Sequence, residues 1–206
     1  MKKIGEGWQY SVYDLGNGRV FKKFHSTAKS YWVTLKSVFP FRDDPITEVP
    51  SFVRSAKTKA LASFETLKNI NVPASWLGNP KFLDGLNYEQ DLALPLHNIF
   101  DNSDTTSIKI IIDKFIVFNK RLLSEHGIID KSFNITKNFG LDTQGNIILI
   151  DLGEIFDNPE RIKKQFMDRA WDKKYVAGEI KNKEAREYFI KKMDETFCLD
   201  IWGKNV

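Results

Sequence analysis

The sequence has a single cysteine, Cys198, so no disulfide can close within the chain, and cysteine usage is compatible with a reducing compartment. Long apolar runs are missing as well. The stretches around Ile110 and Ile147 fall far short of the ~20 residues a membrane span requires. The opening residues, Met1-Lys2-Lys3-Ile4-Gly5-Glu6-Gly7, lack the apolar core of a secretory signal. A cytoplasmic protein with no membrane partner is expected, and delivery into another cell would leave no mark of this kind.

Charge of one sign is scarce too. Lys and Arg number 31 against 27 Asp and Glu, a net charge of +4. The cations are interspersed with acids, as in Lys163-Lys164 ahead of Asp168 and Lys191-Lys192 ahead of Asp194, and form no stripe. No nucleic-acid partner is expected from that pattern. His25, His97 and His126 stand too far apart for a metal-ligand set, and no Gly-x-Ser-x-Gly elbow of a hydrolase occurs. The five tryptophans are dispersed, which suits core or interface roles better than a base-stacking platform.

What is present suffices for a real core: 42% hydrophobic and 13% aromatic residues in 206, a length that suits one domain of two lobes or two small domains. Residues 8 to 24 read as a β-hairpin, with Gly16-Asn17-Gly18 between strand-forming residues and positive φ expected at both positions of the Asn-Gly turn. Residues 25 to 51, with Pro40, Pro45 and Pro50 and the pair Asp43-Asp44, read as a long connection that carries a short helix around Tyr31 to Val38. A helix over 52–69 follows from Phe52, Ala56, Ala60, Phe64 and Leu67 at three-to-four spacing. Two short strands are expected near 74–83 and 86–93. Ile108, Ile111, Phe115, Phe118 and Leu122 predict a helix over 107–125, with Ser107 as N-cap and Gly127 as stop. A small hairpin joins Phe139–Leu141 to Ile147–Asp151 through Gly145-Asn146, and helices cover about 159–171 and 183–197. The fold class is α+β in two lobes.

The hairpin places Asn138 just before its first strand and Asp151 at the end of its second, so both side chains lie at one edge of the sheet. An amide oxygen and a carboxylate there can hold Mg²⁺ that bridges nucleotide phosphates. An ordinary hairpin with polar residues at its mouth fits the same spacing.

The segment Asn138 to Gly153 resembles the metal-binding hairpin of protein kinases, in which an Asn and the Asp of Asp-Phe-Gly are also thirteen residues apart. Gly5-Glu6-Gly7 with Val12 resembles the front of the kinase glycine-rich loop, although Tyr10 stands in place of the third glycine. Val20-Phe21-Lys22-Lys23 resembles the third-strand lysine motif. The resemblance implies an antiparallel N-lobe over about 1–94, a hinge at about 93–97 and a mainly helical C-lobe over about 98–206. It implies an ATP- and Mg²⁺-dependent phosphotransferase acting on a hydroxyl of a protein or small molecule. Gly5 and Gly7 would cover the phosphates, Val12 and Val20 would line the adenine site, and Lys22 would hold the α- and β-phosphates. Glu65, or Glu48 ahead of the helix, would pair with Lys22, while Leu92 and Leu94 would lie along the adenine edge. Asn138 and Asp151 would bind the metal. The kinase catalytic Asp falls where this chain has Phe133, and the nearest carboxylate, Asp130, is the expected catalytic residue in a loop longer by three. No Ala-Pro-Glu and no room for a long activation segment follow Gly153, as in small atypical members of the superfamily. The alternative from the same residues is a pseudokinase that binds nucleotide with little or no transfer.

Overall fold

The computed structural model describes residues 1–37, 46–198 and Trp202. Val38, at the end of the expected Tyr31–Val38 helix, lies outside the described residues, as do Pro40, Asp43-Asp44 and Pro45.

The chain opens with three antiparallel strands, β1 (Lys2–Glu6), β2 (Tyr10–Asp14) and β3 (Arg19–Phe24). Strand β1 leaves no pattern in the sequence, since only Ile4 in it is strongly apolar and all five residues are exposed or half-buried. In the β2–β3 turn the left-handed residues are Gly16 and Gly18, and Asn17 is not among them. A wider loop therefore replaces the tight Asn-Gly turn, with Leu15 N bonded to Arg19 O at 3.0 Å.

Helix α1 (Thr27–Ser37) leads towards α2 (Val49–Asn69). Pro50, expected in a loop, starts α2, where its missing N–H costs nothing. The buried stripe of α2 runs Val49, Val53, Ala56, Ala60, Phe64, Leu67. The stretch read as a strand near 74–83 is mostly a 3₁₀ turn, Ala74–Leu77, closed by left-handed Gly78, and only β4 (Lys81–Phe82) is extended. Strand β5 (Tyr88–Asp91) then completes a five-stranded sheet in the order β1-β2-β3-β5-β4.

The second half is mainly helical. Strand β6 (Leu94–Pro95) and helix α3 (Leu96–Phe100) precede the long α4 (Thr105–His126). Asp104, and not Ser107, caps α4: its Oδ1 accepts from Thr106 N at 2.8 Å and from Ser107 N at 3.0 Å. Left-handed Gly127 ends it. Then come β7 (Ile129–Asp130), α5 (Ile135–Asn138), β8 (Phe139–Leu141), β9 (Ile147–Leu149) and β10 (Ile155–Phe156). Helices α6 (Pro159–Met167) and α7 (Lys183–Thr196) close the fold, and α7 packs on α4. This is an α+β architecture, a five-stranded antiparallel sheet followed by a mainly helical half. Among the described residues no helix is long and apolar enough to cross a membrane. Cys198 is half-buried, next to fully buried Phe197.

Candidate active site

The sheet β6-β8-β9 carries the chain from β9 into residues 150–154, and these face the N-terminal half. Asn138 fixes where they start. Its backbone carbonyl accepts from Ile150 N at 2.8 Å and from Asp151 N at 3.2 Å, so Asn138 and Asp151 are adjacent across the mouth of the β8–β9 hairpin.

The segment is then held at Leu149, Ile150, Leu152 and Ile155 by side chains from distant elements. Gln90 of β5 donates its Nε2 to Leu149 O at 2.8 Å and to Leu77 O at 2.6 Å. Lys22 of β3 donates to Ile150 O. The Tyr88 hydroxyl accepts from Leu152 N at 3.4 Å. Ser63 of α2 donates to Leu152 O at 2.5 Å and accepts from Ile155 N at 3.0 Å. The sequence shows none of this, because the partners are 59 to 128 residues apart and the contacts fall on backbone atoms. Only the polarity of Ser63 within an apolar helical stripe hints at it.

Lys22 is buried, with its ammonium 5.4 Å from the centre of the Tyr88 ring. Burial holds its pKa down to about 8, against a smaller upward pull from Asp151. Asp151 is half-buried, and burial raises its pKa while the Lys22 charge and the Gly153 N–H work the other way. The Gly153 N–H reaches Asp151 Oδ1 at 3.0 Å. Lys22 and Asp151 are thus electrostatic neighbours.

Glu65 does not join them. It is exposed and pairs with Lys68 at 2.9 Å, one helical turn along the outer face of α2. The expectation that Glu65 partners Lys22 is corrected: the stripe that turns α2 inward carries Ser63 and Phe64, and position 65 points to solvent.

Asp130 is fully buried. Its Oδ1 accepts from Asn138 Nδ2 at 2.7 Å, and its Oδ2 accepts from Ser132 N and Asn134 N, both at 3.2 Å. Burial pushes its pKa up to about 7 against the pull of these donors. Phe133 explains the lengthened loop. Its backbone is left-handed at φ 51°, and its ring is fully buried beside Phe166, Trp171 and Phe197. The loop therefore folds around an aromatic anchor, with Asp130 tying its backbone together from inside.

The glycine-bearing strand approaches from the opposite side. Gly5 lies in β1 opposite Val12. Gly7 N donates to Tyr10 O at 2.8 Å in the β1–β2 turn, and a Cβ at Gly7 would meet only that oxygen, at 3.9 Å. Tyr10 turns inward and packs edge-on against Phe24 and Tyr88, so its bulk goes into the core. Val20 is buried opposite Gln90, and Val12 is half-buried. Leu92 and Leu94 expose 41% and 53% of their surface, with Leu92 N bound to Gly18 O at 2.9 Å. Two surface cavities, of about 400 and 640 Å³, lie elsewhere, one beside Leu123 and Trp202, the other beside Phe21 and Phe82.

A second charged cluster flanks the loop. Lys131 bonds Glu154 at 2.8 Å, and Lys59 of α2 stands 3.8 Å from the same carboxylate.

No protein-family model matches the sequence, and no curated protein does either. Solved structures do resemble the chain. The complex of Rv3197 with erythromycin from Mycobacterium tuberculosis is 12% identical with a TM-score of 0.49, over 94% of this chain and 53% of that one. The chain thus spans about half of that protein's length. The choline kinase LicA from Streptococcus pneumoniae is 12% identical with a TM-score of 0.38, over 93% of this chain and 73% of that one. Neither likeness is close enough to carry an activity over to this chain.

The donor chemistry itself can be tested against a divalent cation. Among the described residues no three His, Cys, Asp or Glu side chains gather as a metal cage. Mg²⁺ needs none, since it takes one or two protein oxygens and completes its shell with phosphates and water. Asn138 gives its Nδ2 to Asp130, which leaves its amide oxygen as the free end, and Asp151 uses only Oδ1 internally. One carboxylate oxygen and one amide oxygen, both hard donors, fit that role.

Proposed function

We propose that this protein is an atypical kinase, an ATP- and Mg²⁺-dependent phosphotransferase that acts on a hydroxyl of a protein or small molecule. The observation that carries the reading is the convergence of Lys22, Asn138 and Asp151 on one segment that the rest of the chain holds rigidly. In this reading the sheet-bearing part is an N-lobe, residues 93–97 are the hinge, and the helical part is a C-lobe.

Asp151 and Asn138 would hold Mg²⁺, which when bound neutralises phosphate charge and aligns the transferred group. Lys22 supplies a fixed cation in a dry setting, where its attraction for phosphate oxygens is stronger than in water. Gly7 leaves one side of the β1–β2 turn open to close approach, Gly5 lies in β1 with the space of its missing side chain against Val12, and Val12 and Val20 give apolar surface for a base. Asp130 holds Asn138 by its side chain and the loop by its backbone, and it accepts the acceptor's proton only if the loop opens.

That last point favours a second reading, a nucleotide-binding module without transfer, because the Asp130 carboxylate has no exposed surface. One experiment separates the two. Wild-type protein with MgATP is expected to melt at a higher temperature and to transfer label from γ-³²P-ATP to itself or to an acceptor. Asp151→Ala should abolish both effects, and Lys22→Ala should weaken both. A thermal shift without any label transfer would select the binding module. If Asp151→Ala left the MgATP response intact, the metal assignment would fall in both readings.

A further inference from the structure

Gln9 lies at the turn between β1 and β2, a place where a polar side chain is normally solvated, yet it is buried. Its Nε2 donates to Ala56 O of α2 at 3.2 Å. Its other end lies against Gly153, two residues beyond Asp151. A Cβ added at Gly153 would run into Gln9 Oε1, and would stand 3.1 Å from Gln9 Cδ and 3.3 Å from Asp151 Oδ1. Gly153 shows no left-handed φ, so it is space that excludes a side chain there. The neighbouring residue is fastened as well: Trp8 Nε1 donates to Thr34 Oγ1 of α1 at 3.0 Å. His25 N closes the turn from the β3 side, on Gln9 O at 2.9 Å. Burying an amide costs free energy unless its polar atoms are bonded, so a buried Gln at a hairpin tip marks a specific contact.

We infer that Gln9 is a positioning residue that locks the β1–β2 turn to the Asp151–Gly153 segment and to α2. The backbone N–H groups of the turn and the Asp151 carboxylate then keep one separation, set by a single side chain that spans the two. The purpose rests on the nucleotide reading above, whereas the lock is a property of the chain without ligand. Gly153 belongs to the same device, since a Cβ there forces the Gln9 amide to shift, and the same amide holds Ala56 O.

Gln9→Ala and Gly153→Ala therefore break one and the same contact. Each is expected to weaken MgATP binding, read by thermal-shift titration, by about tenfold, the loss of one buried polar contact. The double variant should be no weaker than either single one. Gln9→Asn, one methylene too short to reach both partners, is the milder substitution should Gln9→Ala fold poorly. Hydrogen exchange of the ligand-free protein gives the independent readout. In Gln9→Ala the amides of residues 7–9 and 152–154 should speed up together, with those of α4 unchanged. Losses that multiply in the double variant, or faster exchange confined to residues 7–9, would overturn the inference. If the wild type gave no MgATP response, the proposed function would fall, and joint exchange of the two segments would still establish the lock.

Discussion

Ser63 and Glu65 sit two residues apart on α2 and differ in everything that matters to stability. Ser63 is fully buried and serves both Leu152 O and Ile155 N, whereas Glu65 reaches only its exposed neighbour Lys68. Ser63→Ala leaves one buried acceptor and one buried donor unpaired. It is expected to cost about 2 kcal/mol, read by denaturant titration. Glu65→Ala, which removes only an exposed ion pair, should stay within about 0.5 kcal/mol of wild type and should leave MgATP binding untouched. A large binding loss in Glu65→Ala would restore it as the partner of Lys22. In the sequence Glu65 stands out only as a charge to match Lys22. The structure shows a hydroxyl working on backbone atoms in that region, and such a contact leaves no trace in charge or periodicity. That Asn138 and Asp151 meet across the mouth of one hairpin, by contrast, was legible, because a hairpin's turn chemistry and spacing fix where its ends lie.

At the level of elements, the loop between β7 and α5 depends on Phe133. A left-handed backbone costs a non-glycine residue roughly 1–2 kcal/mol, and the buried ring offsets this. Phe133→Ala should lose about 3–5 kcal/mol, and the loop should become protease-sensitive before the helices do. A loss below about 1 kcal/mol would show that the ring is not the anchor. Strand β1 depends on another kind of contact. Glu6 pairs with Lys29 of α1 and with Lys3 at 2.7 Å, and the Lys29 and Lys3 hydrogen bonds bring its pKa down to about 2. A lowered folded-state pKa means stability present above the unfolded value near 4.5 and lost as the pH falls through 2. The melting-temperature gap between wild type and Glu6→Gln should therefore be small but constant at neutral pH and vanish towards pH 2. A gap that widened in acid would contradict the pairing. The elements easiest to foresee were the long amphipathic helices α2 and α4, whose stripes exceed four turns. Two short elements leave weaker marks: β1 buries too little to show a pattern, and the Ala74–Leu77 turn lies in a stretch whose sequence reads as a strand.

The two halves of the molecule meet through Gln90, Lys22, Tyr88 and Ser63, all on the segment from Leu149 to Ile155. One hydrophobic core also runs through both halves, from Tyr10 and Tyr88 to Phe115 and Phe189. Calorimetry should accordingly record a single unfolding transition, with calorimetric and van't Hoff enthalpies in agreement. Two resolved transitions would mean that the halves fold separately. The α+β class was visible in the order of strands and helices, but the joint between the two halves was not, since it depends on which distant residues meet.

The anchoring of Leu149 to Ile155 has a bearing on how such a protein can diverge. Its holders grip carbonyl and amide groups, which every residue type supplies. Leu149, Ile150, Leu152 and Ile155 can therefore exchange for apolar residues of like volume without loosening the joint, while selection falls on Lys22, Ser63, Tyr88 and Gln90, scattered through the first half of the chain. Descendants of one ancestor could share this joint in full and still look unrelated wherever a short contiguous motif is compared.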